Sequence, residues 1–115
     1  MIFATPVQAS SIEAPQVEVV KTTKDIINQY DWDKDLAYAV MMSESSDNAE
    51  VVNWKDSHRT CNGSYGLFQI GCLHETNPEL LKDKEYNVKR AYELYKENGW
   101  RIWGGYTSGN YKKYL

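Results

Sequence analysis

An acidic residue closes the most apolar stretch of the chain. Residues 36–43 read Leu-Ala-Tyr-Ala-Val-Met-Met-Ser, and Glu44 follows them directly. Ala, Leu and Met favour helix, and the segment is apolar on nearly all sides, which predicts a central buried helix over residues 35–45. In that helix Leu36, Val40 and Glu44 share one face, because residues four apart lie one above the other. The carboxyl group therefore takes the place of an apolar side chain, and loss of water around it should raise its pKa.

A second short motif begins twenty residues after Glu44, where Ser64 to Ile70 read Ser-Tyr-Gly-Leu-Phe-Gln-Ile. Helical periodicity is lost between the two, and Asn, Asp, Ser and Gly accumulate there. Residues 51–54 predict a short strand, and the turn pair Asn62-Gly63 predicts the end of a small hairpin. Residues 67–70 predict a helical turn. The sequence therefore places an irregular segment with a little β-structure between Glu44 and this motif.

The rest of the chain is predicted to be mainly helical. Further helices are expected over residues 23–30, 78–81 and 86–98. Thr22 supplies a cap for the first of these, Pro78 suits the first turn of the second, and Gly99 is a natural residue just past the end of the third. The aromatic, Gly-rich tail over residues 100–115 is predicted as a packed loop. These elements predict an α+β domain that is predominantly α.

Size and charge exclude two classes of protein. The 115 residues suffice for one domain, and no run approaches the roughly 20 apolar residues that span a membrane, so stable membrane insertion is not expected. The net charge is −3, and residues 82–115 carry eight Lys and Arg against four Asp and Glu. A nucleic-acid-binding domain would show a concentrated basic surface over the whole fold, so no nucleic-acid partner is expected.

The N-terminal segment looks like the end of an export signal. Val7-Gln8-Ala9 has the small-x-small pattern of a cleavage site. Residues 10–20, with Pro15 and alternating Val and Glu, read as an extended linker. We therefore expect residues 1–20 to be a signal-peptide remnant with a linker, and the protein to be secreted or to lie in the cell envelope.

Glu44-Ser45 followed by the Ser64 to Ile70 motif resembles the active-site core of the lysozyme-like superfamily, which includes lysozymes and bacterial lytic transglycosylases. Residues 87–91 and 99–103 are similar to the later helix and the Trp-rich ending of that group. The resemblance covers roughly residues 32–115. It implies a lysozyme-like fold with a small β-hairpin beside the cleft, and a catalytic domain over residues 21–115.

The resemblance also implies roles for individual residues. Glu44 is expected to be the catalytic acid that protonates the bridging oxygen of a glycosidic bond and then acts as the base. Ser64, Tyr65 and Gln69 match family positions that line the cleft, and Tyr106 matches a late aromatic residue that closes it. The implied substrate is the β-1,4 bond between N-acetylmuramic acid and N-acetylglucosamine in peptidoglycan glycan strands. No metal or organic cofactor is implied, and a monomer is expected.

A second catalytic carboxylate is missing from its usual place. In lysozymes with two acids, an Asp precedes the Tyr-Gly of this motif, and here that position is Ser64. Ser cannot stabilise or attack an oxocarbenium ion as a carboxylate does. The departure favours a lytic transglycosylase, or a goose-type lysozyme, in which one Glu dominates. Asp47, Glu50 or Asp56 on the intervening segment could hold a water and give hydrolysis, but spacing places none of them.

A non-catalytic module on the same fold remains the alternative function. Fold does not guarantee activity, and the missing second acid is compatible with a domain that only binds glycan or serves a structural role.

Two cysteines bracket the Ser64 to Ile70 motif. In an exported protein, Cys61 and Cys72 would be expected to form a disulfide. The nearby His58 and His74 allow a different prediction, in which the two cysteines and two histidines bind a structural zinc ion. The single residue between Cys72 and His74 is tighter than the usual spacing of such sites, so the disulfide is favoured.

Overall fold

A computed structural model describes residues 19–115 of the protein, which form a mainly helical domain with one small sheet. The α-helices are α1 (Thr23–Ile27), α2 (Lys34–Ser45), α3 (Lys84–Asn98) and α4 (Gly104–Thr107). The strands are β1 (Val52–Ser57), β2 (Asn62–Tyr65) and β3 (Ile70–Gly71). Short 3₁₀ helices cover Cys72–His74, Pro78–Lys82, Gly99–Ile102 and Asn110–Tyr114. The predicted α+β class is confirmed.

Two predictions concern membrane contact and the N-terminus. Among residues 19–115, no helix is both long enough and apolar enough to cross a membrane. The predicted signal-peptide remnant and most of the predicted linker lie outside the described residues.

Helix α2 lies at the centre of the core, as the sequence predicts. The Asp33 side chain caps it by accepting a hydrogen bond from the Leu36 N–H at 3.1 Å, and Ser46 ends it in the left-handed conformation with φ of 54°. The buried residues of this helix are Ala37, Ala39, Val40 and Met41. The middle of α2 is buried on several sides, and its last turn is only partly buried, so a polar side chain there can reach a cleft.

An aromatic cluster joins the start of α2 to the C-terminal region. The Trp32 ring lies 5.6 Å from the Phe68 ring and 5.3 Å from the Trp100 ring, between centroids. The Trp103 ring approaches the Phe68 ring at 5.8 Å, and its Nε1–H donates a hydrogen bond to the Phe68 carbonyl at 2.8 Å. Buried indole N–H groups normally require such a partner. Trp103 therefore anchors the Ser64 to Ile70 motif through Phe68, and Trp32 connects Phe68 to Trp100.

The tail is more ordered than the sequence predicts. Instead of a packed loop, residues 99–114 form two 3₁₀ helices with α4 between them. Tyr106 stacks on Tyr111 with ring centroids 5.0 Å apart, and Gly109 connects the last two elements with φ of 84°. Glycines at this density lower the helix propensity, and packing against α2 overrides it.

The β-structure is a three-stranded antiparallel sheet in the order β1-β2-β3, with its first turn displaced from the predicted position. Asn62 and Gly63 lie inside β2, and the turn covers residues 58–61, where the His58 N–H donates to the Cys61 carbonyl at 2.9 Å. Gly63 lies in the strand with φ of 113°, and a Cβ there would lie 2.9 Å from the Tyr65 ring. The prediction of a turn at Asn62-Gly63 is therefore wrong, since a positive φ within a strand and the close approach of a ring, rather than a turn, require the glycine.

A buried asparagine of α3 fixes the turn after β2. Asn87 is fully buried, and its amide nitrogen donates to the carbonyls of Tyr65 and Leu81, both at 2.9 Å. Its side-chain oxygen accepts a hydrogen bond from the Phe68 N–H at 2.9 Å. Gly66 (φ of 76°) passes so close that a Cβ would lie 2.5 Å from the Asn87 amide nitrogen. One side chain thus satisfies three backbone groups and sets the path of the motif.

Candidate active site

A cleft of about 220 Å³ opens between the end of α2, the sheet and the C-terminal region. Its polar lining consists of Glu44, Asp56, His58, Ser64, Gln69 and His74. Its remaining lining consists of Ile70, Gly71, Leu73, Leu94, Ile102, Trp103 and Gly104. The lining therefore combines side chains that can form hydrogen bonds with side chains that offer apolar contact, a combination that suits the polar edges and C–H faces of a carbohydrate.

Glu44 lies in the last turn of α2, half-buried and facing this cleft. Burial raises the pKa of its carboxyl, and the negative charge of Asp56 acts in the same direction. The Gly105 N–H donates to Glu44 Oε2 at 2.8 Å and opposes the shift, but the pKa remains above its usual value. The carboxyl group is therefore disposed to keep its proton to a higher pH than an exposed glutamate would.

The contact with Gly105 depends on the absence of a side chain. A Cβ at position 105 would lie 2.9 Å from Glu44 Oε2 and 3.0 Å from Ser43 Cβ, and nearer still to Ser43 Oγ. Ser43 Oγ is held in place because it donates to the Val40 carbonyl at 2.7 Å. Close approach of a bare backbone at the start of α4 therefore fixes one carboxyl oxygen of Glu44 and leaves Oε1 for a proton.

The sheet forms the opposite wall. Asp56 on β1 accepts a hydrogen bond from Asn53 Nδ2 at 3.3 Å. His58, just beyond β1, places Nε2 at 3.3 Å from Ser64 Oγ on β2. Ser64 is only 3% exposed, so its hydroxyl is part of the cleft lining and has little contact with bulk solvent. The predicted cleft position of Ser64 agrees with this geometry, while its role in binding substrate stays a prediction.

The side-chain amide nitrogen of Gln69 is hydrogen-bonded to the backbone. Its Nε2 donates to the carbonyls of Val51 at 3.1 Å and Gly66 at 3.0 Å. Because both partners are acceptors, the amide orientation is fixed, and only Oε1 is left to accept a bond from a ligand. Gln69 also has φ of 46°, a left-handed conformation that is uncommon for a residue with a side chain. The residue both shapes the turn and lines the cleft.

Two residues predicted to bind substrate lie elsewhere. Tyr65 is 6% exposed and packs in the core, with its ring 5.7 Å from that of Trp54. Tyr106 follows Gly105 and stacks on Tyr111. Neither residue is part of the cleft lining, so their predicted contacts with substrate gain no support from the geometry.

Of the three acids that spacing could not place, only Asp56 lines the cleft. Asp47 accepts a hydrogen bond from Thr23 Oγ1 at 2.6 Å and ties α1 to the end of α2. Glu50 is exposed beside the turn that precedes β1. Among these three acids, Asp56 is therefore the one candidate for a second carboxylate in the cleft.

The cleft carries two carboxyl groups and two imidazoles. Burial lowers the pKa of His74, electrostatic interactions with Arg90 and His58 lower that pKa further, and Glu97 has a smaller opposite effect. The Arg90 Nη2 group donates to the His74 carbonyl at 3.1 Å, beneath the cleft wall. No Lys or Arg belongs to the lining formed by residues 19–115. A neutral ligand is therefore accommodated more readily than a polyanion.

Cys61 and Cys72 form a disulfide in the structure. The alternative zinc site required both sulfurs as thiolates, so this pairing contradicts it. Within the described part of the chain, no group of three His, Cys, Asp or Glu side chains is arranged to hold a metal ion.

Comparison with known proteins agrees with this architecture. A family model described as a lysozyme-like domain matches residues 29–105, which include Glu44, the sheet and Gly105. The chain therefore belongs to the lysozyme-like domain family. Neither a curated protein nor a solved structure matches it.

The sequence offers Asp56 only as one of three acids that spacing cannot place, offers His58 only as a possible zinc ligand, and does not identify Gly105. Asp56 and His58 face the cleft because of the strand register, which is irregular between Asn53 and Ser57. Gly105 reaches Glu44 across 61 residues of sequence. The only sequence signal was the doubled glycine at 104–105, which by itself indicates a turn as readily as a close contact.

Proposed function

We propose that the protein cleaves the glycan strands of peptidoglycan at the β-1,4 bond between N-acetylmuramic acid and N-acetylglucosamine. The observation that carries this proposal is the position of Glu44, half-buried with a raised pKa in a cleft of a lysozyme-like domain. An acid with a raised pKa keeps its proton to higher pH and can protonate the leaving-group oxygen, which is the difficult step of glycoside cleavage. Residues 21–115 form the catalytic domain in this proposal.

The first step breaks the bond between C1 of N-acetylmuramic acid and the bridging oxygen. Glu44 transfers its proton to that oxygen, and the N-acetylglucosamine part leaves as an alcohol. Positive charge develops at C1, and the substrate's own N-acetyl group can stabilise it. Glu44 is now a carboxylate, with Oε2 still receiving the Gly105 N–H, and it is ready to act as a base.

The second step favoured here is the lytic transglycosylase route. The 6-hydroxyl of the same muramic acid forms a bond to C1, and its proton passes to Glu44, which restores the acid and gives a 1,6-anhydro end. Ser64 supports this route, because an uncharged hydroxyl stands where two-acid lysozymes have their second carboxylate. Only one protein carboxyl is needed, and it is Glu44.

Hydrolysis is the second candidate, and Asp56 is the observation that favours it. This carboxylate lines the same cleft as Glu44 and influences its pKa. A carboxylate on the far wall could hold a water that attacks C1 and gives a reducing end. The two routes share Glu44 and differ in what reaches C1.

Mass spectrometry of peptidoglycan digested by the purified protein tests the proposal. We expect 1,6-anhydro ends, with none released by the Glu44→Gln variant. Reducing muramic ends that disappear in Asp56→Asn would establish the hydrolytic route instead. Tight binding to peptidoglycan without either kind of end would indicate a non-catalytic glycan-binding module and refute the enzyme.

The site of action follows from the same chemistry. Peptidoglycan lies outside the cytoplasm, and a disulfide forms and persists in oxidising surroundings. We therefore propose an extracytoplasmic enzyme, secreted or held in the cell envelope. Detection of the oxidised protein in an envelope or culture fraction, and its absence from the cytoplasmic fraction, would support this location.

A further inference from the structure

His58 faces the cleft but has no part in the proposed reaction. Its half-buried ring places Nε2 at 3.3 Å from the buried Ser64 hydroxyl, and both residues line the cleft with Glu44. A histidine that merely filled space would not need to meet a second polar group there. The pair is the main hydrogen-bonding feature of the sheet wall.

The ring of His58 packs against Gly71, in the space that a side chain at position 71 would occupy. A Cβ at position 71 would lie 2.6 Å from His58 Cε1 and 2.8 Å from Nε2. Contacts this short do not occur with a real Cβ, so only glycine lets the ring lie against β3. Gly71 has an ordinary extended conformation, with φ of −65°, so its backbone angles do not require glycine. The space that the imidazole needs therefore explains why position 71 is a glycine.

The backbone of His58 is restrained as well. Its N–H donates to the Cys61 carbonyl at 2.9 Å and closes the turn between β1 and β2. Cys61 is in turn bonded to Cys72, the residue after Gly71. The disulfide therefore ties the turn that carries the imidazole to the strand on which the imidazole rests.

We infer that His58 is a substrate-binding residue that acts with Ser64 as a paired hydrogen-bonding group on the sheet side of the cleft. This inference rests on the proposed function. A neutral imidazole has one donor and one acceptor nitrogen, and a hydroxyl can do both. The pair can therefore present either a donor or an acceptor. The nearby charge of Asp56 disfavours an anion, so the ligand group is a neutral hydroxyl or acetamido group of a sugar.

Fragment binding in an inactive background tests this role. The parent is Glu44→Gln, the probe is tri-N-acetylchitotriose, and the readout is Kd by calorimetry. We expect His58→Ala to weaken binding roughly tenfold, as loss of a partner from a buried polar pair does. His58→Gln, which keeps a hydrogen-bonding group, should stay within about threefold of the parent. Thr60→Ala, an exposed change in the same turn, is the matched control and should bind as the parent does.

Gly71→Ala separates a role of the ring from a role in stability. The new Cβ displaces the imidazole without removing it, so we expect the same weakening as in His58→Ala. Combined with His58→Ala, the change should add nothing, because the ring that it displaces is gone. In the active protein, His58→Ala should raise KM while kcat changes by less than about threefold, since uniform binding is lost.

Several results would overturn the inference. A Kd for His58→Ala within twofold of the parent would overturn it alone, provided that the parent binds. A parent that fails to bind, in a protein that fails to cleave peptidoglycan, would remove the proposed function as well. If His58→Ala does not fold, the test is made on the Glu44→Gln parent, which keeps His58. Addition of the probe must then shift the His58 ring resonances in NMR spectra, and unchanged resonances would refute the contact.

Discussion

The two walls of the cleft are built by different means. On the helix wall, Glu44 is positioned by burial of α2 and by one backbone N–H from Gly105. On the sheet wall, Asp56, His58 and Ser64 depend on strand register, a short turn and a disulfide. Packing of α2 keeps water away from the Glu44 carboxyl, whereas the cross-linked sheet positions several polar side chains that can be substituted one at a time. Under the proposed function, acid chemistry is assigned to the helix wall and substrate recognition to the sheet wall.

The sharpest test of this division is Glu44→Gln. The amide cannot give or take the proton, so we expect a loss of lytic activity of at least about a hundredfold, within the range of general acid catalysis. The fold should remain, and binding of glycan fragments should persist on the unchanged sheet wall. Turbidity loss of purified peptidoglycan measures the activity. Glu50→Gln, at an exposed position outside the cleft, is the control and should lyse at the wild-type rate.

Gly105→Ala tests the helix wall without touching the acid. The added Cβ collides with Ser43 and crowds Glu44 Oε2, so we expect destabilisation of about 1–3 kcal/mol and an activity loss of roughly ten- to a hundredfold. Urea unfolding and lysis rates measure the two effects. Gly104→Ala is the stability control, because its Cβ would meet no atom within 4 Å.

A second substitution separates the two effects of Gly105→Ala. Ser43→Ala removes the closest clashing atom, so the double variant should recover stability while activity stays low, since Oε2 is still displaced. Full recovery of activity in the double variant would show that the Gly105 N–H does not position the acid.

Removing the disulfide tests the sheet wall. Replacing Cys61 and Cys72 with Ala opens a loop with a sequence separation of 11 residues, and we expect a loss of about 2–3 kcal/mol in the free energy of unfolding. Because the turn that carries His58 is then released, KM should rise more than kcat falls. An equal fall in kcat with KM unchanged would contradict the division between the walls.

Asp56→Asn gives the smallest expected effect and probes the coupling between the walls. The charge of Asp56 raises the pKa of Glu44, so its removal should lower that pKa. In the proposed reaction, activity requires protonated Glu44, so it is lost as pH rises through the pKa of this residue. The alkaline limb of the pH–rate profile should therefore move to lower pH in this variant. A limb that stays in place would show that the two carboxyl groups act independently.

The sequence was informative where the signal is local. The apolar run before Glu44 has one compatible structure, a buried helix, and α2 follows that prediction within one residue at its start. The resemblance of the Ser64 to Ile70 motif implied a cleft beside the acid; Ser64 and Gln69 line the cleft with Glu44, and their roles stay predictions.

Contacts that depend on register or on distant glycines could not be predicted. The turn signal at Asn62-Gly63 is ordinarily strong, but the ring of Tyr65 makes that glycine necessary inside β2. Because of this displacement, the sequence could not place His58 and Asp56 in the cleft, since a shift in strand pairing changes which side chains face it. Gly105 and Glu44 are far apart in sequence, and no periodicity connects them.

The protonation of Glu44 itself is the most direct test of the account. The ¹³C resonance of its carboxyl carbon can be followed against pH and assigned by its loss in Glu44→Gln. A glutamate in an unstructured peptide serves as the reference. We predict that Glu44 titrates at a distinctly higher pH than this reference, because burial disfavours its charged form. Titration at or below the pH of the reference peptide would contradict the central claim.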